Sequence, residues 1–199
     1  MLTIAIQAGG ESRRMGQNKA LTPFLGRPLI ERVYRRVLPV ADEVLVTTNQ
    51  VEGFEFLGVR LAADLLPGRG ALGGLYTAIA AAAQPLVAVV ACDMPFINPA
   101  VLAAERDLLL ANDVDVVIPC SPEGLEPLHA VYRREVCLPA IAAALQEDKK
   151  RLISWFPAVR VFEFAAADVL QLDPNFYTFL NINTPDELSA AEVLAQQID

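Results

Sequence analysis

Ile6-Gln7-Ala8-Gly9-Gly10-Glu11-Ser12-Arg13-Arg14-Met15-Gly16-Gln17-Asn18-Lys19 follows the apolar run Leu2 to Ile6 and precedes a helical pattern that begins near Pro28. The run reads as a buried strand, so the stretch places a glycine-rich, basic loop at the carboxyl end of a first strand. Open α/β sheets bind their ligands at such ends. Paired glycines let backbone N–H groups approach a ligand closely, and Arg13, Arg14 and Lys19 add positive charge, a combination suited to a phosphate-bearing ligand. The alternative reading is a glycine-rich turn with solvated arginines. Within this loop Lys19 does not directly follow a glycine and the glycines do not form Gly-x-Gly-x-x-Gly, so the loop matches neither of the two common nucleotide-loop patterns.

Outward from the loop, Leu29, Ile30, Val33, Val37 and Val40 recur at three- and four-residue spacings, predicting an amphipathic helix from Pro28 to Val40. Glu43 to Thr48 reads as a second strand, completing a βαβ unit. Val59 to Ala63 is a third short strand. The turn Pro67-Gly68-Arg69-Gly70 precedes an alanine-rich helix from Ala71 to Ala83, whose Gly73-Gly74 pair permits close approach. Leu86 to Ala91 is uninterrupted aliphatic sequence, the pattern of a central strand buried on both faces. A helix from Pro99 to Ala111 and a strand from Val114 to Pro119 follow.

Farther on, Leu128 to Arg133 and Val159 to Phe164 read as strands and Val136 to Gln146 as a helix. Phe179 to Asn183 reads as a short strand feeding a last helix, with Thr184 as N-cap, Pro185 at the first helical position and Glu187 at the capping-box position. The fold class is α/β: a Rossmann-like three-layer arrangement with a mostly parallel sheet and helices on both faces.

Composition narrows the function classes. With 199 residues, 54% hydrophobic and 20% charged, the chain reads as one globular domain. No apolar run reaches the length of a membrane helix and no secretory leader is visible, so a cytoplasmic setting is expected, with no membrane partner. The 3 cysteines, Cys92, Cys120 and Cys137, are widely spaced, as buried small hydrophobes are, and support neither disulfides nor a zinc site. A formal net charge of −8 argues against nucleic acid as partner. Cations concentrated in one loop of an acidic protein suit one small anionic ligand.

Ala8-Gly9-Gly10, Arg14-Met15-Gly16, Lys19-Ala20-Leu21, Gly26-Arg27-Pro28-Leu29, Gly73-Gly74, Cys92-Asp93-Met94-Pro95 and Asn181-Ile182-Asn183-Thr184-Pro185 together resemble the molybdenum cofactor guanylyltransferase family, within the nucleotidyltransferase superfamily. The resemblance spans essentially the whole chain. The opening loop alone marks the wider superfamily. Ala-Gly-Gly, where cytidylyl relatives usually carry Ala-Ala-Gly, and the Asn-Ile-Asn-Thr-Pro ending narrow it.

The resemblance implies Mg-dependent transfer of GMP from GTP to the phosphate of molybdenum-bearing molybdopterin, releasing pyrophosphate. It implies a single nucleotidyltransferase domain over 1–199, with a nucleotide-binding half over about 1–110 and an acceptor-binding half over about 111–199. Lys19 matches the lysine that contacts the triphosphate, and Asp93 matches the metal-binding aspartate; on position alone, Asp93 is equally an Asp that starts a turn. Gln7, Ala8, Gly9, Gly10, Arg14 and Asp64 match the nucleotide-contacting positions. At Gln7 the family usually has Leu, so a backbone contact would survive there while apolar packing beneath the base is in question. Asp64 can instead cap the turn after its strand. Thr47 stands where relatives often carry Asn, and Asn49 lies two residues on, so that contact does not carry over.

Asn181 and Asn183 are expected to share a strand face toward the acceptor, with local capping of the last helix as the rival explanation. His129 reads as a satisfied, partly buried histidine rather than a catalytic base. Lys149-Lys150-Arg151 lies where the resemblance suggests an acceptor phosphate contact or simply a solvated face, and Trp155, Phe156, Phe162 and Phe164 read as packing. Handing an oxidation-sensitive cofactor onward implies transient contacts with cofactor-pathway proteins or molybdoenzymes. Two other functions remain at this stage: a related transferase using CTP or a sugar-1-phosphate or other acceptor, and a non-catalytic nucleotide-binding regulator or carrier.

Overall fold

The computed structural model describes residues 1–9 and 18–198. Strand β1 (Leu2–Gln7) leads to a small ladder of β2 (Pro23–Phe24) and β3 (Arg27–Pro28), then α1 (Leu29–Val37), β4 (Glu43–Thr47) and β5 (Arg60–Ala62). Next come α2 (Gly70–Ala81), β6 (Leu86–Ala91), α3 (Pro99–Ala111), β7 (Val116–Ser121), β8 (Gly124–Leu125) and β9 (His129–Arg133). The chain continues through α4 (Arg134–Gln146), β10 (Val161–Phe164), α5 (Ala166–Leu172) and α6 (Pro185–Ile198).

The main sheet runs β10-β7-β9-β6-β1-β4-β5, with β8 paired to β7. Along this order β9 alone runs antiparallel to its neighbours, β6 and β7. The mostly parallel α/β fold expected from the sequence is therefore present. Alternation along β1 divides the core: Leu2, Ile4 and Ile6 face α1, α3 and α5, while Ala5 faces α2 and α4. All six residues of β6 are buried, as a strand covered on both faces requires.

Register positions the site. Gln7 pairs with Thr47 on one side and Ala91 on the other, and Thr47 pairs with Ala62. Four strands therefore end level, which brings Ala8, Thr48 and Cys92 side by side just beyond them. Ala8 N–H still donates to Thr47 O (2.9 Å), and Cys92 N–H donates to Gln7 O (3.0 Å).

The structure departs from the sequence reading near the carboxyl end. Phe179 to Asn183 is not a strand: Tyr177–Phe179 forms a 3₁₀ turn, and Leu180 to Asn183 carries no ladder. Its apolar residues go to different clusters, Phe179 with the core beneath the sheet and Leu180 and Ile182 with Phe24, Leu29 and Phe96, so the segment presents no single face to a sheet. The start of the last helix is as expected. Glu187 N–H donates to Thr184 Oγ1 (3.2 Å), and Thr184 N–H donates to Glu187 Oε2 (3.0 Å). No helix among the described residues is long and apolar enough to cross a membrane.

Candidate active site

Lys19 begins a 3₁₀ turn, Lys19–Leu21, capped by Asn18, whose Oδ1 accepts from Ala20 N–H (3.1 Å). Burial of Ala20 anchors this turn and fixes the Lys19 backbone where the opening loop ends. From there the ammonium forms an ion pair with Asp93 Oδ2 and donates to Asn183 Oδ1 at 2.8 Å. The Lys19 and Asp93 side chains are only 15% and 18% exposed, so their attraction is less screened than that of a surface pair.

Asp93 follows the carboxyl end of β6, held by backbone bonds on both sides. Cys92 N–H donates to Gln7 O, and Asp93 O accepts from Ile182 N–H (3.0 Å). The next residues are also fastened: Met94 is buried, and Pro95 O accepts from Arg32 Nε (2.8 Å), whose guanidinium lies 5.2 Å from the ring centroids of Phe24 and Phe96. Burial, and secondarily the charge of Asp93, pushes the Cys92 thiol up to about 12, which leaves it unreactive.

Asp93 Oδ1 is a buried oxygen without a hydrogen-bond partner among the described residues. An orphaned carboxylate oxygen at the mouth of a parallel sheet fits a hard cation such as Mg²⁺, which takes one or two carboxylates and fills its remaining positions with water and phosphate oxygens. The described residues contain no group of three or more His, Cys, Asp or Glu side chains placed to hold a metal. Asp93 is thus the donor they offer, in the manner of a site shared with a phosphate ligand.

Asp64 lies at the same edge, after β5. Its Oδ1 accepts from Leu66 N–H (3.0 Å) and Thr77 Oγ1 (3.0 Å), and its own N–H donates to Asn49 Oδ1 (2.8 Å). Asp64 therefore does cap the following turn, and both bonds that its side chain accepts fall on one oxygen. Asn49 and Thr77 support it, a role not visible in the sequence because neither belongs to a motif.

Gln7 sits over the first turns of α2. A Cβ built on Gly74 would stand 3.5 Å from Gln7 Nε2, and that nitrogen is buried without a partner among the described residues. Ala8 is buried and Gly9 exposed, at the entrance to the loop. Gly10 and Arg14, also expected at the nucleotide, lie outside the described residues, as do the other residues from 11 to 17.

The two asparagines do not act as one face. Asn183 reaches Lys19, whereas Asn181 Nδ2 donates to Phe179 O (3.0 Å), closing its own turn. Without a strand, the reason for expecting a common direction is absent. His129 is fully rather than partly buried. Lys149, Lys150 and Arg151 are exposed, with Lys149 paired to Glu147 at 2.8 Å. Trp155 packs against Tyr132, ring centroids 6.0 Å apart.

The sequence pattern of the MobA-like NTP transferase domain matches residues 4–160. A probable molybdenum cofactor guanylyltransferase of Pelotomaculum thermopropionicum is 38% identical over 194 residues, covering 98% of this chain and 93% of that protein. A molybdenum cofactor guanylyltransferase of Desulfosudis oleivorans is 35% identical over 194 residues, covering 96% and 94%. Among solved structures, molybdopterin-guanine dinucleotide biosynthesis protein A from Archaeoglobus fulgidus superposes with a TM-score of 0.83 at 26% identity, over 98% of this chain and 100% of that one. The 2-C-methyl-D-erythritol 4-phosphate cytidylyltransferase of Thermus thermophilus, at 21% identity and a TM-score of 0.68 over 96% and 98% of the two chains, shares the fold.

Proposed function

Because this chain belongs to the MobA-like NTP transferase family and is a nucleotidyltransferase, we propose that it transfers GMP from GTP to the phosphate of molybdenum-bearing molybdopterin in a Mg-dependent reaction. An oxygen of the acceptor phosphate attacks the α-phosphorus of GTP, a new P–O bond forms, and the bond to the β-phosphate bridging oxygen breaks as pyrophosphate leaves. No protein nucleophile is needed, so the protein's contribution is alignment and charge neutralisation.

The observation that carries this reading is the junction of Lys19, Asp93 and Asn183 at the level ends of the sheet. Lys19 brings a compact positive charge to triphosphate oxygens. Asp93 would hold Mg²⁺, which when bound neutralises charge on the transferring and departing phosphates. Gln7, Ala8, Gly9, Gly10, Arg14 and Asp64 form the nucleotide side in this reading, and Asn183, with Asn181 behind it, the acceptor side. The nucleotide-binding half is then residues 1–110 or so, and the remainder serves the acceptor.

Pyrophosphate release from GTP, Mg²⁺ and molybdopterin is the test. Turnover with GTP and not CTP supports the reading; turnover with CTP alone reassigns the base, and nucleotide binding without pyrophosphate release in any combination reduces the protein to a carrier.

A further inference from the structure

His129, Glu105 and Thr178 are fully buried and linked in a line. His129 Nδ1 lies 2.9 Å from Glu105 Oε1 on α3, and Nε2 lies 2.8 Å from Thr178 Oγ1 in the Tyr177–Phe179 turn. Thr178 Oγ1 also accepts from Asn98 N–H (2.9 Å). The arrangement that leaves its hydroxyl proton paired has Thr178 O–H donating to Nε2 and Nδ1–H donating to Glu105 Oε1, an uncharged imidazole. Burial pushes the Glu105 carboxyl up, against the opposing influence of His129, and Glu105 Oε2 has no partner among the described residues.

Burying these groups is costly unless they are paired, so the bonds that His129 makes at both ring nitrogens favour one geometry. The geometry they favour is that of the turn. Thr178 N–H donates to Asp173 Oδ2 (2.7 Å), the Phe179 ring meets the His129 ring edge-on at 5.0 Å, and Phe176 enters the turn at a left-handed φ of 53°. Immediately after it comes the ladderless stretch that gives Ile182 N–H to Asp93 O and Asn183 Oδ1 to Lys19. No ladder holds that stretch: it is held by the turn before it, by the seat of Ile182 and by the Asn183 N–H bond to Glu187 Oε2.

We propose that Glu105, His129 and Thr178 are positioning residues: a buried, hydrogen-bonded relay that seats the 177–183 segment and thereby sets Asn183 and the Asp93 backbone for the acceptor phosphate. The acceptor assignment rests on the function proposed above; the seating of the segment does not.

Two readouts separate these. In the substrate-free enzyme, Thr178→Val raises amide hydrogen exchange over residues 179–184 by about tenfold or more, while β1 and β6 keep their protection and Thr178→Ser restores the segment. In turnover, Thr178→Val raises KM for molybdopterin about tenfold with KM for GTP within about twofold, again restored by Thr178→Ser. Glu105→Gln, which keeps an acceptor oxygen for His129 Nδ1–H, behaves as wild type, and Glu105→Ala behaves as Thr178→Val. Unchanged exchange in Thr178→Val, exchange rising equally across the sheet, or Glu105→Gln failing as fully as Glu105→Ala would overturn the relay. A wild-type enzyme that does not turn over GTP with molybdopterin overturns the function instead, and hydrogen exchange still judges the relay.

Discussion

Asn183 Oδ1 accepts a 2.8 Å hydrogen bond from Lys19 Nζ across 164 residues of sequence. The same ammonium pairs with Asp93, so the cation that a triphosphate would attract is already shared between a carboxylate and an amide. Under the proposed function, nucleotide and Mg²⁺ would bind by an exchange of partners, with Asp93 freed to hold the metal and Lys19 to meet phosphate.

Lys19→Ala should lower kcat for pyrophosphate release by a factor on the order of 10² to 10³, the range for removing one preorganised charge-stabilising group. Asp93→Asn should abolish the Mg-dependent part of GTP's protection against thermal unfolding and leave any Mg-independent part in place. Differential scanning fluorimetry with and without Mg²⁺ checks both variants for folding at the same time.

Gln7→Leu removes a buried nitrogen that has no partner among the described residues. An unsatisfied buried donor costs about 1–3 kcal/mol, so the substrate-free variant should be more stable than wild type in urea unfolding. GTP affinity should stay within about twofold if the nucleotide meets this position through its backbone, since the substitution leaves the backbone unchanged. Isothermal titration measures the affinity, and a tenfold loss would show that the amide itself reads the ligand.

Gly73 and Gly74 are adjacent but should respond differently to alanine. A Cβ at Gly73 would lie 2.6 Å from Arg69 Cβ and 3.2 Å from Leu66 O, forcing the turn that Asp64 caps to move. At Gly74 the nearest atom is Gln7 Nε2 at 3.5 Å, an ordinary contact. Gly73→Ala should lower both Tm and nucleotide protection despite alanine's helix-propensity advantage of about 1 kcal/mol, whereas Gly74→Ala should retain the fold.

On the opposite edge of the sheet, the Arg160 guanidinium hydrogen-bonded to Asp115 holds that carboxyl below its ordinary 3.8. Because the folded value is depressed, the stabilisation is fully present above the ordinary value and is lost as pH falls through the folded one. Wild type should therefore exceed Asp115→Asn in stability at neutral pH, with the gap closing below about pH 4 in chemical denaturation series.

The sequence made some elements legible for plain reasons. Leu86 to Ala91 is an unbroken aliphatic run, and the structure places β6 there, residue for residue. The helix expected from Pro99 to Ala111 is α3, and the structure adds the Asn98 side chain as its N-cap. The position of Asp93 beyond a central strand was also readable. Its partner was not, because an ion pair between residues 74 positions apart leaves no local periodicity. The reversed direction of β9 was equally hidden, since a buried strand's pattern carries no arrow. Helix α5 escaped notice because it buries one residue, Val169, and so lacks a repeating stripe. Phe179 to Asn183 resembles a strand because it is a short apolar run, yet its residues are seated in two different clusters rather than in a sheet.

The seat of Ile182 on Asp93 also fixes when the protein becomes competent during synthesis. β1 leaves the ribosome first, but its neighbour β6 and that strand's neighbour β9 follow much later, and the stretch that grips both Asp93 and Lys19 later still. Such long-range closure is slow and leaves sheet edges open in the interval. A nascent chain halted before Asn183 would thus keep the Lys19–Asp93 ion pair but lack the amide oxygen that Lys19 also holds.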